Sequence, residues 1–159
     1  MAAFKSQIDI PDNTRKAMIA LLNARLADAI DLRLAVKQAH WNVKGPTFIA
    51  LHELFDQIQG RVDVFVDDIA ERAVQLGGVV SGTAQAAVVG SKLTPYPTDI
   101  VAEKDHLKAL SQRLGEFGKL AREAINSADE AGDKDTADLF TGVSRSLDKD
   151  LWFVESHLQ

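Results

Sequence analysis

Residues 77–97 read GGVVSGTAQAAVVGSKLTPYP, and this stretch sets the architecture of the whole chain. The Gly77-Gly78 pair is a strong signal for the end of the preceding helix, because glycine readily adopts the left-handed conformation that terminates helices. The remainder, Val79–Pro97, is long for a loop in a compact domain, so it predicts a crossover connection. Within the crossover we expect a short helix over Ala84–Val89.

Apolar residues recur at helical spacing on both sides of the crossover and predict two long helices before it and two after it. The predicted helices cover Asn13–Asn42, Thr47–Leu76, Thr98–Asn126 and Asp135–His157. Gly45-Pro46 divides the first pair, and an acidic, glycine-containing turn over Ser127–Asp133 divides the second pair. No strand pattern competes. The order predicts an all-α fold, a ferritin-like four-helix bundle with a long crossover between helices two and three that carries a short helix.

The composition is that of an ordinary globular protein, and the length fits a single ferritin-like domain over residues 1–159, with a short N-terminal tail at 1–11. No apolar run approaches the ~20 residues that span a bilayer, and the tail lacks the apolar region of a secretory signal, so we expect a cytoplasmic protein. The absence of cysteine excludes disulfides and thiolate metal sites.

A net charge of −5 argues against binding DNA by phosphate neutralisation and suits a protein that attracts cations.

The second predicted helix carries a stripe of candidate metal ligands. His52 and Asp56 are spaced i,i+4, and so are Asp67 and Glu71, so each pair lies on one face of the helix. At 100° per residue, all four positions fall within an arc of about 100°. Imidazole and carboxylate groups suit a divalent first-row metal such as Fe²⁺ or Zn²⁺. The two pairs cannot meet within one helix, because ~16 Å of helix rise separates Asp56 from Asp67.

A second copy of the helix would bring the two pairs together. The midpoint of His52 and Glu71 falls at position 61.5, and the midpoint of Asp56 and Asp67 falls at the same position. Two antiparallel copies related by a two-fold axis at this midpoint would place each pair of one chain opposite the other pair of its neighbour. The contact would create two equivalent sites, ~22 Å apart along the helix rise.

The surroundings of the midpoint are consistent with a contact between two helices. The axis would pass Arg61 and Val62, and the neighbouring Gly60 would let the two backbones approach. We expect the stripe to run past the apolar side chains Val62, Val66 and Ile69. A charged stripe on a long helix is most often a solvated face, and the spacing alone leaves that alternative open.

His40, at the end of the first predicted helix, is a candidate third ligand from the same chain. The short turn at Gly45-Pro46 makes the first two helices antiparallel neighbours, so His40 can lie beside His52. A lone histidine next to an aromatic residue, here Trp41, is more often a packed core residue than a ligand. Both interpretations of His40 therefore remain open at this point.

Several segments of the chain together match the pattern of a known family. They are His40–Gly45, His52-Glu53 with Asp56, Asp67–Arg72, Ala73–Gly78, Asp135–Asp138 and Leu147–Trp152. Their spacing includes the specific pattern His-x11-His-x3-Asp-x10-Asp-x3-Glu, which begins at His40. Over nearly the whole chain, from about Ala17 to Leu158, the sequence resembles the Dps family, the DNA-binding proteins from starved cells.

The resemblance implies a hollow dodecameric cage that oxidises Fe²⁺ at di-iron ferroxidase sites on two-fold interfaces. The Fe³⁺ would be stored inside as mineral, and the preferred oxidant would be hydrogen peroxide, so that iron storage also protects DNA from oxidative damage. Each site would combine ligands from two chains. One chain would contribute His40, His52 and Asp56, and its neighbour would contribute Asp67 and Glu71. Trp41 would lie beside the site, where it either intercepts stray oxidising equivalents or simply packs.

The resemblance also indicates an iron entry pore at a three-fold axis, for which Asp129 and Asp138 are the best matches. Lys134 lies between them and interrupts the acidic ring, and a solvated turn is the alternative. Family members that bind DNA generally carry a mobile, Lys-rich tail, whereas Lys5 is the sole cation before the first helix here. Twelve copies at −5 would carry a net charge of about −60, which repels phosphate, so we expect DNA binding to be weak or absent.

Two other functions are compatible with parts of the sequence. A classical ferritin or bacterioferritin with a di-iron site inside each bundle needs two Glu-x-x-His motifs that face the core, and only Glu103–His106 fits. His106 lies beside the apolar stripe of its helix, so we expect it to be a surface residue. A nucleoid-binding structural protein with a weak or vestigial metal site predicts a basic surface, which the charge balance does not support.

Overall fold

The computed structural model describes residues 4–159, in which the helices are α1 (Asp12–Asn42), α2 (Phe48–Gln75), α3 (Ala84–Gly90), α4 (Glu103–Glu130) and α5 (Lys134–Ser156). Apart from one parallel bridge between Lys44 and Ala102, these residues contain no β-structure. Residues 1–3 of the predicted tail lie outside the described part of the chain. The all-α fold class and the short helix within the long crossover are confirmed. No helix between residues 4 and 159 is long and apolar enough to cross a membrane.

The four long helices form two antiparallel pairs, because short turns join α1 to α2 and α4 to α5. Helix α1 packs chiefly on α2, and α4 packs chiefly on α5. The apolar stripes of all four meet in one core, whose largest fully buried apolar side chains include Phe55, Phe117 and Phe140. Burial of one such side chain stabilises the fold by about 1.5–3 kcal/mol. This core holds the helices that carry the candidate ligands in fixed positions.

The crossover between α2 and α4 is attached to α1 by polar side chains. The carboxylate of Asp28 accepts a hydrogen bond from the backbone N–H of Lys92 at 2.7 Å, and Asp31 accepts one from the hydroxyl of Ser91 at 2.7 Å. Within the crossover, the hydroxyl of Thr83 caps the first turn of α3. Because both carboxylates belong to the same face of α1, the crossover follows one defined path across the bundle.

The predicted start of the helix after the crossover was wrong by about one turn. Helix α4 begins at Glu103 rather than at Thr98. Residues 94–102 form no helix, because they contain two prolines and end in the bridge that pairs Ala102 with Lys44. This bridge attaches the beginning of α4 to the turn between α1 and α2.

The predicted end of the same helix was also displaced. Helix α4 continues to Glu130 rather than ending at Asn126, and Gly132, with a φ of 82°, terminates it in the left-handed conformation. The acidic turn is therefore shorter than predicted, and it is not fully solvated. The carboxylate of Asp133 is buried, caps the first turn of α5 and accepts a hydrogen bond from Arg72 at 2.7 Å.

Candidate metal centre

His40 and His52 lie side by side, on the last turn of α1 and near the start of α2. Their rings are stacked, with centroids 3.7 Å apart. The Nδ1 atom of His40 lies 2.7 Å from the backbone carbonyl oxygen of His52, and the Nδ1 atom of His52 lies 2.8 Å from that of His40. Because a carbonyl oxygen can only accept, each Nδ1 carries the proton, and each Nε2 keeps a lone pair that a metal ion can use. The predicted juxtaposition of the two histidines is confirmed.

Aromatic side chains flank the histidine pair. The ring centroid of Phe48 lies 5.1 Å from that of His52. Trp41, which follows His40 in the chain, is 66% exposed. Trp41 therefore does not pack in the core of its own chain, and it remains available to contact another subunit or a species at the site.

Asp56 lies one turn after His52 and forms an ion pair with Lys37 of α1. A hydrogen bond from Lys37 holds the pKa of the exposed Asp56 carboxyl below its usual range. Asp56 is therefore ionised at neutral pH, and a metal ion that binds its Oδ1 atom would compete with the Lys37 ammonium group. Lys37 was not among the residues predicted for the site, although its i,i+3 spacing from His40 places both residues on one face of α1.

Asp67 and Glu71 occupy the other half of α2, and both are exposed. Neither carboxylate forms an ion pair or a side-chain hydrogen bond within the described residues. Nor does that part of the chain contain any group of three or more histidine, aspartate or glutamate residues that could hold a metal ion. One chain therefore presents the predicted ligands as two separate half-sites, in agreement with the ~16 Å of helix rise between Asp56 and Asp67.

The prediction that the ligand stripe runs past the apolar side chains Val62, Val66 and Ile69 was partly wrong. Val62 and Ile69 are fully buried in the bundle core, and Val66 is half-buried. At 100° per residue, Val62 and Ile69 lie more than about 120° from the centre of the ligand stripe, so they face the opposite way. Arg61 also faces inward, and its Nε and Nη2 atoms donate hydrogen bonds of 2.9 and 2.6 Å to the buried carboxylate of Asp150.

Other apolar side chains of α2 do share the exposed face of the predicted ligands. Ile49 is 62% exposed and Val74 is 49% exposed. On a helical wheel both residues fall within the arc of the four ligands, and the exposed Val64 falls at its edge. A helix face that combines carboxylates, a histidine and exposed aliphatic side chains is suited to burial against another polypeptide.

His106 is buried, which contradicts the expectation of a surface residue. It has no exposed area, and its Nδ1 atom lies 2.7 Å from the hydroxyl oxygen of Tyr96 in the crossover. Burial lowers the pKa of the His106 imidazole, which favours its neutral form. Glu103, the other half of the Glu-x-x-His motif, accepts hydrogen bonds from Thr47 instead of facing His106. The sequence contains a signal that was overlooked, because His106 shares helical spacing with the buried Leu110.

The two candidate pore residues are both exposed. Asp129 forms an ion pair with Lys134, which agrees with the doubt raised by the position of that lysine. Asp138 lines a groove between α2 and α5 together with Asp68 and Glu71. A pore would need several subunits, so the assignment of both aspartates stays a prediction.

Comparisons with known proteins agree with this fold. The family profile of the ferritin-like domain matches residues 19–159. A DNA protection during starvation protein from Agrobacterium fabrum is 52% identical over 159 residues, which cover 100% of this chain and 98% of that protein.

Two solved structures give the same result at the level of the fold. DpsA14 from Streptomyces coelicolor has a TM-score of 0.94 and 35% identity, covering 100% of this chain and 94% of that one. Dps from Mycobacterium smegmatis has a TM-score of 0.93 and 30% identity, with coverage of 98% and 94%. The chain therefore belongs to the ferritin-like proteins and, within them, to the Dps family.

Proposed function

We propose that this protein oxidises Fe²⁺ with hydrogen peroxide at sites shared between two subunits and stores the Fe³⁺ as mineral inside a cage of twelve. Iron enters this scheme as a substrate that the protein binds, oxidises and retains. Membership of the Dps family supports iron storage in general. The assignment of the site rests on one observation, which is the symmetry of the exposed residues along α2.

Both the candidate ligands and the exposed aliphatic residues of α2 show that symmetry. His52 pairs with Glu71, and Asp56 pairs with Asp67, about the common midpoint at position 61.5. The exposed aliphatic residues Ile49 and Val74 have the same midpoint. A single two-fold axis would therefore bring imidazole to carboxylate and aliphatic to aliphatic at the same time. A solvated helix face has no reason to show this coincidence.

Gly60 supports a close approach of two helices at the same level. A Cβ atom added at Gly60 would meet no heavy atom within 4 Å, so nothing within its own chain requires a glycine there. A glycine inside a helix costs about 1 kcal/mol relative to alanine. Contact with the backbone of a second α2 helix would explain why the residue is tolerated.

The chemistry follows from the ligand types. The Nε2 atoms of His40 and His52 and the carboxylates of the site bind Fe²⁺, and the negative charge of the carboxylates favours the product Fe³⁺. Two Fe²⁺ ions each give one electron to one H₂O₂ molecule, the O–O bond breaks, and two protons from solvent complete two water molecules. Because both electrons are delivered at one site, no hydroxyl radical is released.

This chemistry would protect DNA without requiring DNA to be bound. Removal of Fe²⁺ and peroxide from the cytoplasm stops the reaction between them that produces hydroxyl radicals. The chain carries a net charge of −5, and Lys5 is its only cation before α1. The acidic cage would repel the phosphate backbone of DNA.

The proposal is tested by removing one ligand from each half-site. His52→Ala and Asp67→Ala should each abolish most of the peroxide-dependent oxidation of Fe²⁺, measured by the absorbance of the Fe³⁺ product in stopped flow. Glu123→Ala is a matched control, because Glu123 is an exposed carboxylate on α4 outside the stripe. Oxidation at the wild-type rate in both ligand variants would exclude the proposed site. The wild-type particle should have about twelve times the chain mass of 17.3 kDa.

A further inference from the structure

The first residue of α4, Glu103, reaches across to the turn that joins α1 to α2. Its Oε2 atom accepts a hydrogen bond of 3.1 Å from the backbone N–H of Thr47 and one of 2.9 Å from the Thr47 hydroxyl. Two backbone hydrogen bonds reinforce this contact, from Lys44 N–H to Val101 O at 2.8 Å and from Glu103 N–H to Lys44 O at 3.1 Å. The turn between the two histidine-bearing helices is thus held by the beginning of a third helix.

The carboxylate of Glu103 lies at the N-terminus of α2 and accepts its hydrogen bonds from Thr47. Thr47 precedes the first residue of α2, yet its side chain makes no capping bond within that helix, because its hydroxyl donates to Glu103. A negative charge at a helix N-terminus is stabilised by the unpaired N–H groups and the helix dipole. Glu103 therefore ties the residue that precedes α2 to the beginning of α4.

Gly45 leaves the space that Glu103 occupies. A Cβ atom added at Gly45 would overlap the Glu103 carboxylate, lying 2.5 Å from Cδ and 2.8 Å from Cγ. The Glu103 side chain supplies the three atoms nearest to this Cβ. The φ of Gly45 does not lie in the left-handed region, so its backbone would accept alanine. Gly45 therefore offers a way to displace the Glu103 carboxylate without changing Glu103 itself.

We propose that Glu103 is a positioning residue that sets the register of the His40–His52 pair, an inference that rests on the proposed function. His40 precedes the turn by a few residues, and His52 follows it by one helical turn. Their reciprocal Nδ1-to-carbonyl hydrogen bonds form only while α1 and α2 keep one register. These bonds engage each Nδ1 atom and leave each Nε2 atom free for a metal ion, and partners that hold metal ligands in this way typically contribute 10–100-fold to metal affinity.

The first experiment replaces Glu103 and measures the histidines directly, with Co²⁺ as the probe. In Glu103→Ala, Co²⁺ affinity, followed by its visible absorption bands, should fall by about tenfold. Glu103→Gln should restore most of that loss, because the amide oxygen still accepts both bonds from Thr47. Nitrogen NMR of ¹⁵N-histidine-labelled protein should show Nδ1-protonated rings for both histidines in the wild type and mixed tautomers in Glu103→Ala. Unchanged Co²⁺ affinity and unchanged tautomers in Glu103→Ala would overturn the proposal.

The second experiment is a double-mutant cycle with Gly45→Ala. The added methyl group should displace the Glu103 carboxylate and weaken Co²⁺ binding about as much as Glu103→Ala does. The double variant should then be no weaker than either single variant, because both changes remove the same contact. Additive losses would contradict the assignment. If Glu103→Ala assembles poorly, Gly45→Ala alone still decides the question through the histidine tautomers.

These readouts separate the positioning role from the iron chemistry. If wild-type protein fails to oxidise Fe²⁺ while Glu103→Ala still changes the histidine tautomers, the proposed function fails and the positioning role stands. If wild-type oxidation proceeds and neither Glu103→Ala nor Gly45→Ala alters Co²⁺ binding, the positioning role fails and the proposed function stands.

Discussion

Mixing two inactive variants should restore activity, because each site takes its ligands from two chains. His52→Ala damages the histidine half-site of a chain and leaves its Asp67 and Glu71 intact. Asp67→Ala damages the carboxylate half-site and leaves the histidines intact. In a dimer that contains one chain of each kind, both defects fall in the same site, and the other site has a complete set of ligands.

The size of the recovery follows from this geometry. When equal amounts of the two variants are unfolded, mixed and refolded together, random pairing makes about half of the dimers mixed. Each mixed dimer has one intact site out of two, so peroxide-dependent Fe²⁺ oxidation should return to about a quarter of the wild-type rate. Each variant refolded alone should stay near the background rate.

Mixing the two variants after each has refolded alone is the control for this experiment. The two variants, mixed after separate refolding, should show no recovery, and mass spectrometry of this mixture should find no particles that contain both chains. Mass spectrometry of the co-refolded particles establishes that they contain both chains. If verified mixed particles remain at background, the two half-sites do not combine across an interface, and the reasoning from the midpoint of α2 is refuted.

Three further predictions test the parts of the structure around the site. Asp133→Ala should lower the free energy of unfolding by about 3 kcal/mol, because it removes the cap of α5 and leaves the buried Arg72 guanidinium with only the exposed carboxylate of Asp135, 3.9 Å away, as an ionic partner. Asp133→Asn, which keeps a capping oxygen, should lose less, and a loss below about 1 kcal/mol in guanidinium denaturation of Asp133→Ala would contradict the account. Burial lowers the pKa of His106, so its contribution to stability is complete above the ordinary imidazole pKa of about 6.5 and is lost as the pH falls below it. His106→Gln should therefore flatten the decline in melting temperature between about pH 7 and about pH 5, whereas an unchanged slope would exclude this role. Finally, the protein should not retard duplex DNA in a gel without divalent cations, and nanomolar, salt-resistant retention would contradict the inference from its charge.

The fold class could be predicted because glycine and proline mark the ends of the helices. Gly77-Gly78 ends α2 in the structure as it does in the sequence pattern, and the short helix α3 occupies nearly the predicted range. The start of α4 could not be predicted, since it depends on the bridge between Lys44 and Ala102, residues far apart in the chain. Periodicity reports local structure, whereas this boundary is set by a tertiary contact.

Some contacts of the candidate site and its surroundings could be predicted from the sequence, and others could not. The neighbouring positions of His40 and His52 follow from a short turn between antiparallel helices, and the structure bears this out. The outward orientation of Val62 and Ile69 was an error that the same helical-wheel arithmetic could have prevented. The burial of His106 was predictable from its i,i+4 spacing with Leu110, whereas its contact with Tyr96 was not, because the sequence pattern does not specify the path of the crossover.

The central claim is that the metal ligands belong to a two-fold interface between chains and not to one subunit. The most direct test is a crystal structure of the assembled protein soaked with Zn²⁺, with the metal located by anomalous scattering. We expect Zn²⁺ bound by His40 or His52 of one subunit together with the partner's Asp67 and Glu71, in two equivalent sites ~22 Å apart across the axis. Zn²⁺ bound only by residues of a single chain, or α2 helices that do not face each other, would contradict it.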